Sequence, residues 1–499
     1  KNTAAIMLES LFFILAVCLR SASSHYGCGS DRIQNRVIHQ NMNVKPVEAK
    51  HSVLEGRAQD PVSGSSTFNN IRIHVDTSQL ESDWSGYSKK SYFVDDVIPA
   101  AYEWIQSAVK VRPVDGPLTF EVPCSTYPDG SCAQVSQTYG VCGETGATIP
   151  SDMYDVLDEI CPTFNGCQTT SLYPQGAGLS DTDLVIYFTG DASKDDTSDC
   201  DGVMGFAAYC ETNSRNRPIA GYINLCKSTI EATEVLTWEE SISLIIHETF
   251  HVLGFSSDGF NSFVDDSGTP LASSSVYQTV TKRGASRTLI VTDTVKAKAR
   301  EFFGCSTLEG IELENYNTDQ PASHWDNRIV MYDFMISYVP PASPYSTFTL
   351  AVLADSGWYD IDWDYAQQPS YGRLKGCDWS DSKCIVNGNS IDDSAFCVES
   401  VKYSCSSSYI GKFYCTLVTW NNPLSSENQY FPLDPYQGGD NTYPDFCPLF
   451  EEYSNGDCRL WGDNNDGTSD ENTNELGGLI SGTSKCAVIE GPTNGEGAG

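Results

Sequence analysis

Residues Thr237–Phe255 read TWEESISLIIHETFHVLGF. The stretch holds His247, Glu248 and His251 in the order H-E-x-x-H. Residues four apart on a helix share one face, with β-carbons ~5–6 Å apart. His247 and His251 can therefore offer two nitrogen ligands to one ion. Glu248 sits one position round the helix, where it can hold a water beside that ion and act as a general base. Thr237 and Glu240 form a T-x-x-E capping box at the start. Ile242, Leu244, Ile245, Ile246, Phe250, Val252 and Leu253 make the helix apolar nearly all round, so it is expected to be buried. Gly254 is the expected stop and structural turn, because glycine tolerates the left-handed conformation at a helix end. The bland alternative is two core histidines four apart. With 7 His in 499 residues, two of them bracketing a glutamate on a capped helix are hard to ascribe to frequency.

The length predicts roughly two to four domains. The formal net charge of −36 repels phosphate backbones and anionic lipid, which speaks against nucleic-acid binding. Cysteine is abundant at 19, yet no C-x-x-C pair occurs, so zinc ribbons and thioredoxin-like sites are not indicated. Dispersed cysteines at this density fit structural disulfides in an oxidising compartment. No N-x-S/T sequon is present. Leu11–Leu19, LFFILAVCL, followed by small residues at Ser21–Ser24, reads as a secretory signal peptide with Met7 as the expected start. No other stretch approaches the ~20 apolar residues of a membrane helix. The expected location is secreted or on the extracellular face of the cell. Membrane association is expected only through an anchor not present in this chain.

The chain divides as follows. Residues 1–24 are the signal peptide, and 25–66, polar and irregular, a propeptide. In 67–255, Ile71–Val75, Leu184–Phe188 and Ile219–Leu225 are candidate strands and Val97–Val111 a candidate helix, leading into the H-E-x-x-H helix. Residues 256–359 hold a polar insertion with one helical stretch near Val295–Phe303, then ASHWDNRIVMYDFMISY, then a helix from Thr347 stopping at Gly357. Residues 360–499 carry eight cysteines and weak periodicity, and are expected to fold as a disulfide-stapled domain. The acidic run Trp461–Glu475 fails the calcium-loop template and reads as solvated.

Catalytic zinc takes three protein ligands and leaves one position for water. In the metzincin pattern H-E-x-x-H-x-x-G-x-x-H, Gly254 falls at the right offset, but Ser257 stands where the third histidine would be. Past residue 66 the histidines are His74, His247, His251 and His324. His74 lies in a candidate strand; His324 lies in SHWDNR and is followed by Met335, the expected Met-turn, with Met331 as competitor. HETFHVLGFSSD, SHWDNR and Met335 in this order resemble the leishmanolysin family of zinc metallopeptidases, as do RPIAGYINLC and TFTLAVLADSGWY.

The resemblance implies an α+β fold: a metzincin-like catalytic domain, with a twisted mixed sheet and packed helices, plus a disulfide-rich, mainly β/loop C-terminal domain. It implies one catalytic Zn²⁺ on His247, His251 and His324, with Glu248 as general base for peptide hydrolysis. HYGCGSDRIQ resembles the family's propeptide motif, so Cys28 is the expected switch: its thiolate would fill zinc's open position and silence a zymogen; an ordinary disulfide is the alternative. The expected partners are protein or peptide substrates, with extended substrate along an edge strand for which IAGYINL is the candidate. A monomer is expected. A non-peptide zinc hydrolase and a surface adhesion module are the competing functions.

Overall fold

The computed structural model describes Gly27–Cys28 and residues 67–457, apart from internal stretches at 144–145, 165, 191–199, 201, 233–235, 315–321, 339–342, 401–402 and 406–410. The expected signal peptide, most of the propeptide, the Cys28 side chain and the acidic run after Trp461 lie outside the described residues.

A five-stranded mixed sheet carries the site. Its strands are β1 (Gly27–Cys28), β2 (Ile73–Asp76), β3 (Leu184–Gly190), β4 (Val203–Thr212) and β5 (Pro218–Leu225), in the order β1-β4-β5-β3-β2. β4 and β5 are antiparallel; the other neighbours run parallel. β3 and β5 are buried at every residue, as expected of strands covered on both faces. Alternate side chains leave a strand on opposite faces. Leu184, Ile186, Phe188 and Ile223 join the core under α1 (Ile98–Ala108) and α2 (Trp238–Leu253). Val185, Tyr187, Ala220 and Tyr222 pack on the other face against Leu118, Phe120, Ile149 and Tyr154.

Three expectations are corrected. IAGYINL is not an edge: β5 is paired on both sides, by β4 and β3, so no substrate strand can add to it. A buried apolar run reports covered faces, not a free edge. The helix expected over Val97–Val111 ends at Ala108, and Val109–Val111 pairs with Tyr359–Ile361 instead. Two β-branched valines flanking Lys110 fit a half-covered strand better than a helix end. The strand expected at Ile71–Val75 begins at Ile73.

The polar region after α2 is seated on the same core. It forms the hairpin β6 (Tyr277–Lys282) and β7 (Ala285–Ile290), the helix α3 (Asp293–Phe303) and the short strand β8 (Ile311–Glu312) beside β7. Ile290, Val295, Ala299 and Phe302 share the apolar cluster of α2, as does α4 (Thr347–Asp355) through Phe348 and Leu350. Gly357, just past α4, has φ +79°, and a β-carbon there would meet the Val264 carbonyl at 2.1 Å.

Beyond residue 360 the chain makes short strands and turns, stapled by Cys384–Cys447 and Cys397–Cys415. Tyr371, Trp379, Phe396 and Leu449 belong to the same apolar cluster as α2. Cys305–Cys377 ties α3 to this region, while Cys142–Cys210 and Cys200–Cys226 pin the two ends of β4. Among the described residues no helix is long and apolar enough to cross a membrane.

The rim of β4 supplies a stability prediction. Burial, and then the charge of Glu121, push the Glu211 carboxyl up to about 7. The folded chain thus keeps a proton that the unfolded chain releases near pH ~4.3. The stability from this group is fully present below that value and is lost as pH rises towards 7. Glu211→Gln is therefore expected to stabilise the fold by on the order of 1–2 kcal/mol at pH 8 and to be neutral at pH 4. Thermal melts at the two pH values check this; an equal shift at both would contradict it.

Candidate metal centre

α2 is held at both ends by its own sequence. The Thr237 hydroxyl accepts from the Glu240 amide (3.2 Å) and the Glu240 carboxylate accepts from the Thr237 amide (2.7 Å), completing the capping box. Gly254 caps the other end with φ +112°; a β-carbon there would lie 2.7 Å from the Trp358 ring. Between the caps, His247, Glu248 and His251 are buried.

The His247 Nδ1 donates to the Phe334 carbonyl and the His251 Nδ1 donates to the Phe255 carbonyl at 2.8 Å. A carbonyl can only accept, so both Nδ1 atoms carry the proton and each Nε2 presents a lone pair. These lone pairs converge: His251 Nε2 lies 3.1 Å from His247 Nε2, and His324 Nε2 lies 3.3 Å from it. Two lone-pair nitrogens at such a distance repel unless a cation stands between them. Nitrogens at ~2.0–2.1 Å from a tetrahedral Zn²⁺ are about 3.3 Å apart, so the donor set fits that ion in type and spacing. Burial, then the neighbouring His251 and His324, hold His247 well below the usual imidazole range, which keeps it in the neutral form a metal ligand needs. Among the described residues this is a triad of buried histidines able to hold one ion. His74, the competing histidine, is exposed on β2, an edge strand separated from β4 by β5 and β3.

His324 reaches the cluster from far along the chain through backbone pairing. Glu314 N donates to the His324 carbonyl (2.9 Å), Asp326 N to the Glu312 carbonyl (3.0 Å), and Trp325 N to the Met335 carbonyl (2.9 Å). The His324 segment is thus laced between the β8 extension and the turn carrying Met335. That turn also supplies the Phe334 carbonyl that orients His247. Met335 is fully buried in it, whereas Met331 follows the short helix Asn327–Val330.

Two participants were missed in the sequence. Asp333 accepts from the Met335 amide and from the Thr349 hydroxyl, both at 2.8 Å, while Trp325 Nε1 donates to that hydroxyl at 2.7 Å. This buried chain of bonds braces the Met335 turn against α4 and the His324 segment. Gly205 on β4 is the second. A β-carbon there would lie 3.2 Å from Glu248 Oε1 and 3.1 Å from the Asn224 carbonyl, so its missing side chain lets β4 approach the carboxylate. The backbone of Cys28, on β1, pairs in parallel with Gly205 at this same point. If Glu248 acts as the base, Gly205→Val is expected to crowd it and reduce turnover by about tenfold or more while the three imidazoles keep their metal affinity. Zinc content and kcat measured together check this; an unchanged kcat would contradict it.

A buried helix presenting two imidazoles and a carboxylate, with a third imidazole supplied from a distant turn, has the side chains of a metal-dependent hydrolase. The leishmanolysin peptidase family model matches residues 153–493. The chain belongs to the leishmanolysin family. It is 27% identical over 492 residues to a leishmanolysin-like peptidase of Caenorhabditis elegans, covering 84% of this chain and 72% of that one. With the Caenorhabditis briggsae protein of the same description it is 27% identical over 452 residues, covering 77% and 65%. With the leishmanolysin of Leishmania amazonensis it is 29% identical over 283 residues, covering 56% of this chain and 44% of the other. The chain thus spans about two thirds of the nematode relatives and less than half of the Leishmania protein.

Proposed function

We propose that the protein is a zinc endopeptidase of metzincin type, acting outside the cell or at its surface. The observation that carries this reading is the convergence of three buried Nε2 atoms, two of which owe their lone pairs to Nδ1 bonds with backbone carbonyls. His247, His251 and His324 would hold the ion. Bound there, zinc lowers the pKa of a water towards ~7 and polarises the substrate carbonyl. Glu248, beside His247 and buried, holds the water, takes its proton and passes it to the leaving amine. Burial of the whole cluster excludes bulk water and strengthens each of these interactions.

Substrate would lie extended along β4, the strand beside Glu248, and add to the sheet through main-chain bonds. β1 occupies that edge: Gly27 pairs with Val203 and Cys28 with Gly205. A leader segment lying there keeps substrate out, which supports a zymogen activated by removal of the propeptide, with Cys28 as the expected switch. The protein is expected to act as a monomer.

Cleavage of casein by the processed protein tests the reading. Activity is expected to disappear with a zinc chelator and to return on adding Zn²⁺; cleavage indifferent to the chelator would refute it.

A further inference from the structure

We propose that Arg287 is a positioning residue for the third imidazole, and that through it the region beyond residue 360 forms a supporting wall of the metal centre. The inference rests on the zinc reading above.

His324 stands on no long element. It precedes the four-residue helix Asn327–Val330, and the backbone bonds described above hold it between the β8 extension and the Met335 turn. Side-chain contacts add a further hold. The Asp326 carboxylate, two residues past the ligand and fully buried, lies 3.4 Å from Arg287 Nη1 on β7. The same Nη1 lies 2.8 Å from Asp445 Oδ1, far along the chain. The other Asp445 oxygen lies 3.6 Å from Arg283 Nη2, and Arg283 grips Glu312 of β8 with both terminal nitrogens while donating to the Ser380 carbonyl. Two arginines and three carboxylates thus form one buried cluster, drawn from the β6–β7 hairpin, β8, the ligand segment and the C-terminal region. Removing one member of a buried ion cluster leaves an uncompensated charge, so the cluster keeps its geometry or rearranges as a unit.

A second contact makes the same connection. Arg328 is fully buried, 5.3 Å from the Trp379 ring centre and 4.8 Å from that of Phe396. Its Nη2 donates to the Trp379 and Ser382 carbonyls. In return, the Tyr371 hydroxyl donates to the Arg328 carbonyl and Trp379 Nε1 to the Ile329 carbonyl. The chain just past His324 is therefore bonded to residues 371–445. Arg287 is the link in which one guanidinium nitrogen touches both the ligand segment and the C-terminal region.

The test uses the full-length protein. Zn²⁺ affinity is measured by chelator competition, ligand geometry by the visible spectrum of the Co²⁺-loaded protein, and stability by melting without metal. Arg287→Met is expected to weaken Zn²⁺ binding by about 10-fold, the lower end of the range for groups bonded directly to a metal ligand because Arg287 acts through Asp326, and to shift the Co²⁺ spectrum. Asp445→Asn is expected to act in the same direction, less strongly, and Arg287→Lys to recover part of the loss because the cation remains. The double variant R287M/D445N is expected to bind zinc about as well as R287M, since both act through one contact. Arg72→Met breaks a contact to buried Asp183 away from the centre. It is expected to lower the melting temperature at unchanged Zn²⁺ affinity. Wild-type Zn²⁺ affinity in folded R287M would overturn the proposal, whatever its melting temperature. If R287M does not fold, wild-type affinity in D445N would overturn it equally. Failure of the zinc reading itself shows first and separately, as absence of stoichiometric Zn²⁺ from the unmutated protein.

Discussion

Glu248→Ala is expected to keep one zinc per chain and to lose about 10²–10⁴-fold in kcat, the range for removing a positioned general base. The two properties separate because the residues separate. The three converging nitrogens belong to His247, His251 and His324. Glu248 is the adjacent helix position, buried, with Oε1 lying where Gly205 allows β4 to come close. Truncating it leaves the imidazoles, their carbonyl partners and both helix caps untouched. The substrate contacts proposed along β4 would also be unchanged, so KM is expected to move little and the loss to fall on kcat. Glu248→Gln keeps the shape but cannot take a proton, and is expected to be as impaired as the alanine variant. Steady-state kinetics and zinc content on the two variants check this; turnover within about tenfold of the parent would refute the base assignment.

His324→Ala is expected to lose zinc and activity together. An outer contact to a metal ligand contributes about 10–100-fold in affinity, so removing a ligand itself is expected to cost more than 100-fold. His247 and His251 would remain in place, since the Phe334 and Phe255 carbonyls still orient them. Two nitrogens alone would leave the ion two open positions. The parent is expected to gain thermal stability when Zn²⁺ is added, because the ion binds only the folded chain. That gain is expected to vanish in the variant. Zinc content after dialysis, with melts at several Zn²⁺ concentrations, checks both points. Tight stoichiometric zinc in the variant would place the third ligand elsewhere.

The legible and illegible parts of the site differ in the range of their causes. Helix α2 could be read because its signals are local: a capping box three residues apart, imidazoles four apart, and a glycine at its end. His324 was found by the scarcity of histidine and by likeness to a known family, since no spacing rule connects it to α2. The bond pattern that carries it there, from Glu314, Glu312 and Met335, joins backbone groups and leaves no trace in side-chain pattern.

Asp333, which flanks the Met335 turn in the sequence, and Thr349 showed no role there for a related reason. Each is an ordinary polar residue until the fold sets Trp325 beside them. IAGYINL was misjudged as an edge because the apolar run in β5 says only that both faces are covered. Which strand keeps a free edge depends on how β4 follows β3 round the sheet. The C-terminal region read as a separate stapled unit because its turns and cysteines dominate. Trp379 and Phe396, which join it to the core of α2, are isolated aromatics in that text.

Diffraction from zinc-loaded crystals at the zinc absorption edge tests the central claim most directly. The expected result is one strong anomalous peak, about 2.0–2.1 Å from Nε2 of His247, His251 and His324 alike. A peak bonded to other side chains, or one leaving the ring of His324 beyond bonding distance, would contradict the account.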